Sequence, residues 1–180
     1  MTSSTGPVHS FRRIVTSHDA SDTNGESVTF HDDLVPLRTV LDGNVHISPL
    51  YSSEGLPTTS PHHITPDHLQ KATDAVPGVV MPNGTNGQVT VVEPNFLIKS
   101  HRTSSVDYNV MLEGSVWLIV PDGKGGERRT EVKAGELVVQ TGTLHAWQAG
   151  PSGAKWVTVV VPALPVEKDG KKLEDVEFQP

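Results

Sequence analysis

Two histidines and one aspartate are the residues of this chain best suited to chemistry, and they lie in two well-separated stretches. His101 and Asp107 belong to the stretch HRTSSVDYNVMLEG, and His145 belongs to the later stretch GELVVQTGTLHAW. Because side chains alternate along a strand, His145 shares a face with Trp147. If both stretches face into one barrel, two imidazoles and a carboxylate converge in an apolar pocket, where they are suited to proton transfer.

Polar neighbours of these three residues supply the predicted substrate contacts. The alternation places Lys99 and Thr103 on the face of His101. Lys99 or Arg102 is therefore predicted to hold a substrate carboxylate. The predicted substrate-binding residues are Lys99, Arg102, Thr103, Asn109, Gln140 and Trp147.

Short β-strands must position these residues. Runs rich in Val, Ile, Leu, Thr and Trp follow one another in the second half of the chain: Val89–Val92, Phe96–Ser100, Val106–Leu112, Ser115–Val120, Arg128–Val132, Glu136–Gln140, His145–Gln148 and Trp156–Val161. Turn signals separate them, among them Glu113-Gly114 and Gly150–Gly153. Evenly spaced short strands without intervening helices predict an all-β antiparallel sandwich or barrel.

The N-terminal part is predicted to add further strands to this barrel. The strand-like runs are Phe11–Val15, Ser27–Phe30, Leu34–Leu41 and Asn44–Ile47. A break is predicted at Asp32-Asp33. The predicted division is into N-terminal strands with a loop (1–87), the barrel (88–165) and a C-terminal tail (166–180).

Residues 48–88 are predicted to form a long loop, because they are rich in Pro, Ser and Thr. Only Pro66–Thr73 is predicted to be helical, with Thr65 as N-cap and Pro66 at the first helical position. The loop also carries His62, His63 and His68. Two interpretations are open: a solvated loop, and a lid that closes over the barrel mouth.

Composition excludes several classes of function. The 180 residues include no cysteine, which excludes disulfides, thiolate metal sites and thiol catalysis. Fourteen Lys and Arg against 21 Asp and Glu give a net charge of −7, which argues against nucleic-acid and anionic membrane partners. Apolar runs fall short of the ~20 residues that a bilayer requires, and the polar N-terminus lacks an apolar signal core. A cytoplasmic protein with a small-molecule substrate is therefore expected.

The two stretches that carry His101, Asp107 and His145 resemble the two motifs of the cupin superfamily. The first motif, G-x5-H-x-H-x3-E-x6-G, is matched by His101 and Gly114, with Thr103 in place of the second His and Asp107 in place of the Glu. The second motif, roughly G-x4-P-x-G-x2-H-x3-N, is matched by Gly135, Gly142 and His145, with Gln140 in place of the Pro and Ala149 in place of the Asn. The resemblance covers about residues 88–162 and implies a double-stranded β-helix, also called a jelly-roll barrel.

A closer resemblance extends over most of the chain. The strings HRTSSVDY and VVQTGTLHAW, with RRIVTSHD upstream, are similar to a group of small single-domain cupins that occur in bacteria and in fungal biosynthetic clusters. Cupins of this size usually pair, often through N-terminal strands that extend the sheet of a partner, so the resemblance implies a homodimer. Function varies across the group, so the resemblance implies the fold more firmly than the reaction.

The resemblance leaves the metal question open. Typical cupins bind Fe, Mn, Ni or Zn through three His and one Glu, and the corresponding ligands here are His101, Asp107 and His145, with Thr103 in the fourth place. Two His and one carboxylate also serve non-haem Fe(II) oxygenases. Against a metal, one imidazole is missing, and Asp is one methylene shorter than Glu. Absence of a cofactor is the preferred expectation, with a divalent metal as the alternative.

These residues, together with what the resemblance implies, suggest three functions. The first is a metal-independent lyase or isomerase, of dehydratase or decarboxylase type, acting on an aromatic or polyketide-like acid in secondary metabolism. In it His101, Asp107 and His145 transfer protons, as positioned acid–base groups do. The second is a metal-dependent cupin oxygenase or metallo-lyase that uses the same three residues as ligands. The third is a non-catalytic barrel that binds a small ligand.

Overall fold

The computed structural model describes residues 9–177, and most of them lie in β-strands. The strands in chain order are β1 Ser10–His18, β2 Val28–Pro36, β3 Arg38–Val40, β4 Val45–Glu54, β5 Gly84–Val92, β6 Leu97–His101, β7 Ser105–Pro121, β8 Glu127–Lys133, β9 Leu137–Thr141, β10 His145–Pro162, β11 Glu167–Lys168 and β12 Lys171–Lys172. The α-helix α1 spans Pro66–Asp74, and a short 3-10 turn spans Leu41–Gly43. Within the described residues, each helix is too short or too polar to cross a membrane.

Two long strands, β7 and β10, organise the barrel. They pair antiparallel with each other, and their neighbours change along their length. The first half of β7 pairs with β9, and its second half pairs with β8. The start of β10 pairs with β6, and its end pairs with β5, which continues through β4 to β3. This all-β arrangement of two layers that share long strands confirms the expected jelly-roll barrel.

The hydrophobic core lies between these layers. Its residues come from both halves of the long strands and from their neighbours, because alternate positions of each strand face inward. The buried core cluster consists of Val45, Val92, Ile98, Met111, Val116, Val132, Trp147, Ala149, Ala154 and Trp156.

Two predicted turns are strand bends instead. Glu113-Gly114 lies inside β7 and Gly150–Gly153 lies inside β10, so the prediction of hairpin turns at these positions is wrong. The register between the strands shifts between Ala149 and Ala154, opposite Gly114. Gly114 has a φ of 70°, and a Cβ there would lie 2.0 Å from the Gly153 carbonyl oxygen. Glycine therefore allows the two backbones to approach and bend together without ending either strand.

The N-terminal ribbon of β1 and β2 also differs from its prediction. The break predicted at Asp32-Asp33 is wrong, since β2 runs through both residues. The reason is cross-strand pairing: Arg12 forms an ion pair with Asp32, and Arg13 with Asp33. Arg13 also donates to the Leu50 carbonyl at 2.7 Å and to Thr73 Oγ1 at 2.9 Å, which joins the ribbon to β4 and α1.

The predicted loop is shorter than 48–88, because β4 continues to Glu54 and β5 begins at Gly84. The predicted helix is confirmed as α1, with Thr65 forming a reciprocal capping box with His68. The two ends of the predicted loop are thus strand, and the predicted capped helix lies between them. The division at residues 87 and 165 stays a prediction, and residues 1–8 and 178–180 lie outside the described chain.

The bend at Gly114 yields a stability prediction. We expect Gly114→Ala to lower the free energy of unfolding by about 2 kcal/mol more than Gly123→Ala, because forcing atoms into a packed region costs roughly 1–3 kcal/mol. Gly123 is a matched control, since its φ is also positive at 77° but a Cβ there would meet nothing within 4 Å. Urea denaturation of the two variants measures the difference. Equal losses of stability in the two variants would show that the close backbone approach at Gly114 does not contribute to stability.

Candidate active site

A cavity of about 360 Å³ lies between the two layers of the barrel. Its walls combine apolar side chains with a band of polar ones, which is typical of small-molecule sites. The lining residues are Arg38, Val40, Leu41, Val45, Ile47, Gly78, Val79, Gln88, Thr90, Ile98, His101, Thr103, Asp107, Asn109, Gln140, His145, Trp147, Trp156 and Thr158.

The structure places His101, Asp107 and His145 in the wall of this one cavity. All three are buried, with 6%, 8% and 4% of their surface exposed. His101 on β6 lies directly opposite His145 on β10 in the antiparallel register. The cavity wall also contains four of the predicted substrate-binding residues, which are Thr103, Asn109, Gln140 and Trp147.

Lys99 lies outside the cavity, and the prediction that it shares the face of His101 is wrong. A β-bulge is the cause: His101 pairs with His145 and Ile98 pairs with Trp147, so two residues of β6 lie between these pairs where β10 has one. The extra residue turns Ile98 and His101 to the same inner face and leaves Lys99 exposed.

Arg102, the second predicted anion contact, also lies outside the cavity lining. Its backbone pairs with Val176. Its guanidinium Nη1 donates to the Glu174 carbonyl at 3.2 Å. Arg102 therefore contacts the C-terminal segment, which the sequence pattern did not place next to it.

Both cavity histidines have a fixed tautomer. His101 Nδ1 donates to the Lys99 carbonyl at 2.9 Å, and His145 Nδ1 donates to the Thr143 carbonyl at 2.8 Å. A proton on Nδ1 leaves the lone pair of each neutral ring on Nε2. The ring centroids are 4.2 Å apart in an edge-to-face arrangement.

The two imidazoles are held neutral at pH 7. Burial lowers the pKa of His101, and the hydrogen bond to the Lys99 carbonyl opposes this only in part. Burial, together with repulsion from His101, lowers the pKa of His145 to about 4. A proton on one ring disfavours a second proton on the other, so the pair takes up protons one at a time.

Asp107 is a buried carboxyl with unused hydrogen-bonding capacity. Burial raises its pKa, and a hydrogen bond from Ser105 opposes this shift. Its Oδ1 is buried and has no hydrogen-bond partner among the described residues. Gln140 lies opposite Asp107 in the strand register, and its Nε2 is likewise buried without a partner in the described chain. An acceptor and a donor in the cavity wall are thus left for a bound molecule.

A hydrogen-bond chain orients Gln140. Thr158 Oγ1 donates to Asn109 Oδ1 at 2.8 Å, and Asn109 Nδ2 donates to Gln140 Oε1 at 2.9 Å. Because the Gln140 oxygen accepts from Asn109, its amide nitrogen is the group left for a ligand. This chain is buried, so it holds the donor in a defined place.

The cavity trio does not fit a metal centre as it stands. The two imidazoles have the Nδ1–H tautomer, with a carbonyl acceptor behind each ring, that metal-ligating histidines require. Ligand atoms of His101, Asp107 and His145 do not, however, all lie within 4.8 Å of one another. Over residues 9–177 that condition is met by two other groups, His9–His46–Glu93 and His18–Asp22–His62, which could hold an ion.

Arg38 is a cavity residue that sequence reasoning missed. It lies on the short strand β3 and is exposed, so its side chain lines the cavity from the solvent side. Among the cavity-lining residues of the described chain, Arg38 is the only Lys or Arg. Local sequence pattern gives little indication that Arg38 lines the cavity, because β3 reaches the cavity only through its pairing with β4.

Comparison with known proteins relates the chain to several fungal proteins. No family model matches the chain. The chain is 33% identical over 172 residues to phomopsin biosynthesis cluster protein D of Diaporthe leptostromiformis, covering 91% of this chain and 85% of that protein. It is 27% identical over 175 residues to the cupin-domain-containing oxidoreductase srdD of Neurospora crassa, covering 93% and 85%. A deletion mutant of Bacillus subtilis oxalate decarboxylase superposes with a TM-score of 0.46 at 15% identity.

The oxalate decarboxylase match covers 78% of this chain but only 30% of that chain. The two-layer barrel with its internal cavity is a cupin fold. With relatives of this identity and coverage, the chain belongs to the cupin superfamily, together with fungal biosynthesis cluster proteins such as phomopsin biosynthesis cluster protein D.

The buried imidazoles yield a pH prediction. The pKa of His145 is about 4 in the folded protein against an ordinary value of 6.5. As the pH falls through this window, the unfolded chain takes up a proton that the folded chain excludes. The free energy of unfolding therefore falls by up to roughly 3 kcal/mol through this group. His145→Gln should remove that part of the slope, measured by urea denaturation across the window.

Thr158→Val is the control for this measurement, since Thr158 is buried in the same cavity and does not titrate. It should shift stability equally at each pH and leave the slope of the wild type. Asp107 acts in the opposite direction, because a raised pKa stabilises the folded state as the pH falls through it. A His145→Gln variant with an unchanged slope would contradict the proposed burial of a neutral imidazole.

Proposed function

We propose that this protein is an enzyme of secondary metabolism, a lyase or isomerase that works by acid–base chemistry in the cupin cavity. The observation that carries the proposal is the cavity wall itself. Two buried imidazoles with Nε2 lone pairs line the same cavity as a buried carboxyl that has an oxygen without a partner among the described residues. The names of the relatives, a biosynthesis cluster protein and an oxidoreductase, support a role in such metabolism and an enzymatic activity.

His101 is the proposed general base. The pKa of His145, about 4, makes that ring too weak a base near neutral pH. His101 takes a proton on Nε2, and its Nδ1–H bond to the Lys99 carbonyl stabilises the imidazolium that forms. His145 stays neutral beside it and offers its own lone pair to the substrate. Proton transfer by a positioned group of this kind contributes about 10²–10⁴-fold to the rate.

Asp107 is the proposed general acid. Burial raises its pKa, which favours the protonated form from which a proton can be donated. In a dehydration, His101 removes a proton next to an activating carbonyl while Asp107 protonates the leaving hydroxyl, so that water departs and a double bond forms. In a decarboxylation, Asp107 instead protonates the carbon from which carbon dioxide has left. Proton transfer through solvent then restores both groups.

The cavity favours a compact substrate with an apolar body and one anionic end. Trp147, Trp156 and Ile98 supply the apolar wall, and the volume of about 360 Å³ suits a molecule of one or two rings. Arg38 at the solvent side is placed to bind a carboxylate, the role that the sequence suggested for Lys99 or Arg102. The Gln140 amide is placed to donate to a substrate carbonyl. An aromatic or polyketide-like acid meets these requirements.

A metal-dependent cupin oxidoreductase is the second candidate. The names of the relatives favour it, and so do the tautomers of His101 and His145, which suit metal ligation. It requires Asp107 or a substrate atom to complete the coordination. Metal content of protein purified without a His tag separates the two candidates. One equivalent of metal that is lost in His101→Ala would favour the second candidate over the first.

Complementation tests the catalytic assignment. A strain that lacks this gene should recover its product profile with the wild-type gene. With His101→Ala or Asp107→Asn it should accumulate a precursor that carries the proton or group the enzyme removes. Mass spectrometry of extracts measures the ratio of precursor to product, which we expect to rise at least tenfold.

Lys99→Gln is the control for complementation, because Lys99 is exposed outside the cavity. It should restore the wild-type profile, whereas Arg38→Gln should restore it only in part. Full restoration by His101→Ala and Asp107→Asn would overturn the catalytic proposal and favour a binding barrel without catalysis.

We propose further that two copies of the chain pair through the β1–β2 ribbon. Four large apolar side chains on one face of this ribbon are exposed: Ile14 at 55%, Val28 at 59%, Phe30 at 69% and Leu34 at 66%. A partner that covers this face would remove the four apolar side chains from water and so stabilise the ribbon. The resemblance to small cupins described above implies pairing in the same region.

Phe30→Glu tests the pairing. A buried charge at the centre of the ribbon face should convert a dimer into a monomer, as measured by sedimentation velocity. Leu164→Glu is the control, because Leu164 is 91% exposed and lies outside the ribbon. A wild-type protein that sediments as a monomer at high concentration would contradict the proposal.

A further inference from the structure

A cluster of two histidines and one aspartate lies outside the cupin cavity. His18 ends β1, Asp22 lies in the turn between β1 and β2, and His62 lies in the loop before α1. The chain thus brings a residue 40 positions downstream of Asp22 against the turn of the ribbon. One ligand atom from each of the three lies within 4.8 Å of both others.

We infer that His18, Asp22 and His62 form a binding site for a divalent transition metal ion of the zinc type. Two imidazoles and one carboxylate are the ligand types that such ions take, with a fourth position left for water. The donor atoms of a tetrahedral zinc centre with bonds of about 2.0–2.1 Å lie about 3.3 Å apart. Here Asp22 Oδ2 lies 3.0 Å from His18 Nδ1 and 3.8 Å from His62 Nε2, so small shifts admit an ion.

Asp22 is held in place before any ion binds. Its side chain is only 1% exposed. Oδ2 accepts from the Gly25 backbone N–H at 3.1 Å, and Oδ1 accepts from the Ser27 backbone N–H at 3.3 Å. Hydrogen bonds of this kind orient a ligating carboxylate. Because Asp22 is already ordered, metal binding does not lose free energy in ordering it.

The two imidazoles are also brought together by the backbone. The His18 N–H donates to the His62 carbonyl at 3.1 Å, and His63 Nδ1 donates to the His18 carbonyl at 2.9 Å. The rings of His18 and His62 stack with centroids 5.0 Å apart and planes 12° apart. Their side chains are 42% and 54% exposed, which gives an ion a path from solvent to the buried carboxylate.

The second group of potential ligands, His9, His46 and Glu93, is less suited to an ion. Both ring nitrogens of His46 already have partners, with Nδ1 at 3.0 Å from Thr39 Oγ1 and Nε2 at 3.1 Å from Glu93 Oε1. The ring of His9 stacks on that of His46 at a centroid distance of 3.9 Å. Metal binding there would break these hydrogen bonds of His46. The group therefore serves as a comparison for the His18–Asp22–His62 group within the same protein.

Metal binding would fasten the long loop to the ribbon. Beyond His62 and His63 the loop is fixed by Ile64, whose carbonyl accepts from His31 Nε2 at 2.7 Å. The chain then enters α1 and reaches Gly78 and Val79, which line the cavity. An ion at His62 therefore acts on the same segment that covers part of the proposed active site.

Zinc titration of the full-length, tag-free protein tests the site. After treatment with a chelator, the wild type should take up one tight equivalent of Zn²⁺ in competition with a chromophoric chelator, and its Tm should rise. Asp22→Asn and His62→Ala should each weaken this binding by more than tenfold.

Two variants distinguish this site from the others. Glu93→Gln and His101→Ala should bind Zn²⁺ as the wild type does, because each leaves the three ligands and their positioning contacts intact. His62 is exposed, so His62→Ala should fold normally, which its circular dichroism checks. Unchanged binding in Asp22→Asn and His62→Ala, or loss of the tight equivalent in Glu93→Gln or His101→Ala instead, would overturn the inference.

Discussion

The antiparallel register that sets His101 opposite His145 is the constraint on which the cavity depends. Backbone pairing of β6 with β10 brings the two rings to a centroid distance of 4.2 Å, and backbone carbonyls fix the proton of each ring on Nδ1. The geometry of the main chain therefore places two imidazoles with Nε2 lone pairs in the wall of one cavity. Burial then keeps both rings neutral, because a charge in that space has little solvation. The chemistry proposed for the cavity follows from backbone hydrogen bonds before any substrate contact is considered.

The long strands make this register rigid. β7 and β10 each serve both layers, so the strand that carries Asp107 and the strand that carries His145 are paired with each other along most of their length. Short strands joined by turns, as the sequence pattern suggested, would have allowed the two layers to slide. Glycines at the bends allow close backbone contact where a side chain would separate the strands, as at Gly114. The polar wall can then be ordered by a buried chain of side-chain hydrogen bonds through Asn109 and Gln140.

Sequence reasoning located the cavity residues on regular strands and failed where a strand is irregular. Asp107 and Asn109 lie two apart on β7, and simple alternation places both in the wall, as observed. Lys99 fails the same rule because the bulge in β6 adds one residue, and a bulge leaves no reliable mark in a single sequence. Arg38 was missed for a different reason, since its place depends on pairing between segments whose order in the sheet is not written in local pattern. The helix after Thr65 was predicted because capping is a local interaction.

Two aspartates with buried side chains show how the hydrogen-bond donors around a carboxyl group decide whether it keeps its proton. Burial acts in the same direction on both and raises the pKa. At Asp107 this effect prevails, because the Ser105 hydrogen bond only opposes it, and the carboxyl is suited to hold a proton. At Asp22 hydrogen bonds from the backbone of Ser27 and Asn24, among others, outweigh burial, and the pKa is lowered. A carboxylate that stays ionised suits a cation, whereas one that keeps its proton suits acid catalysis. The turn between β1 and β2 and the wall of the cavity thus give the same side chain two different functions, and the difference arises from the number of donors that face it.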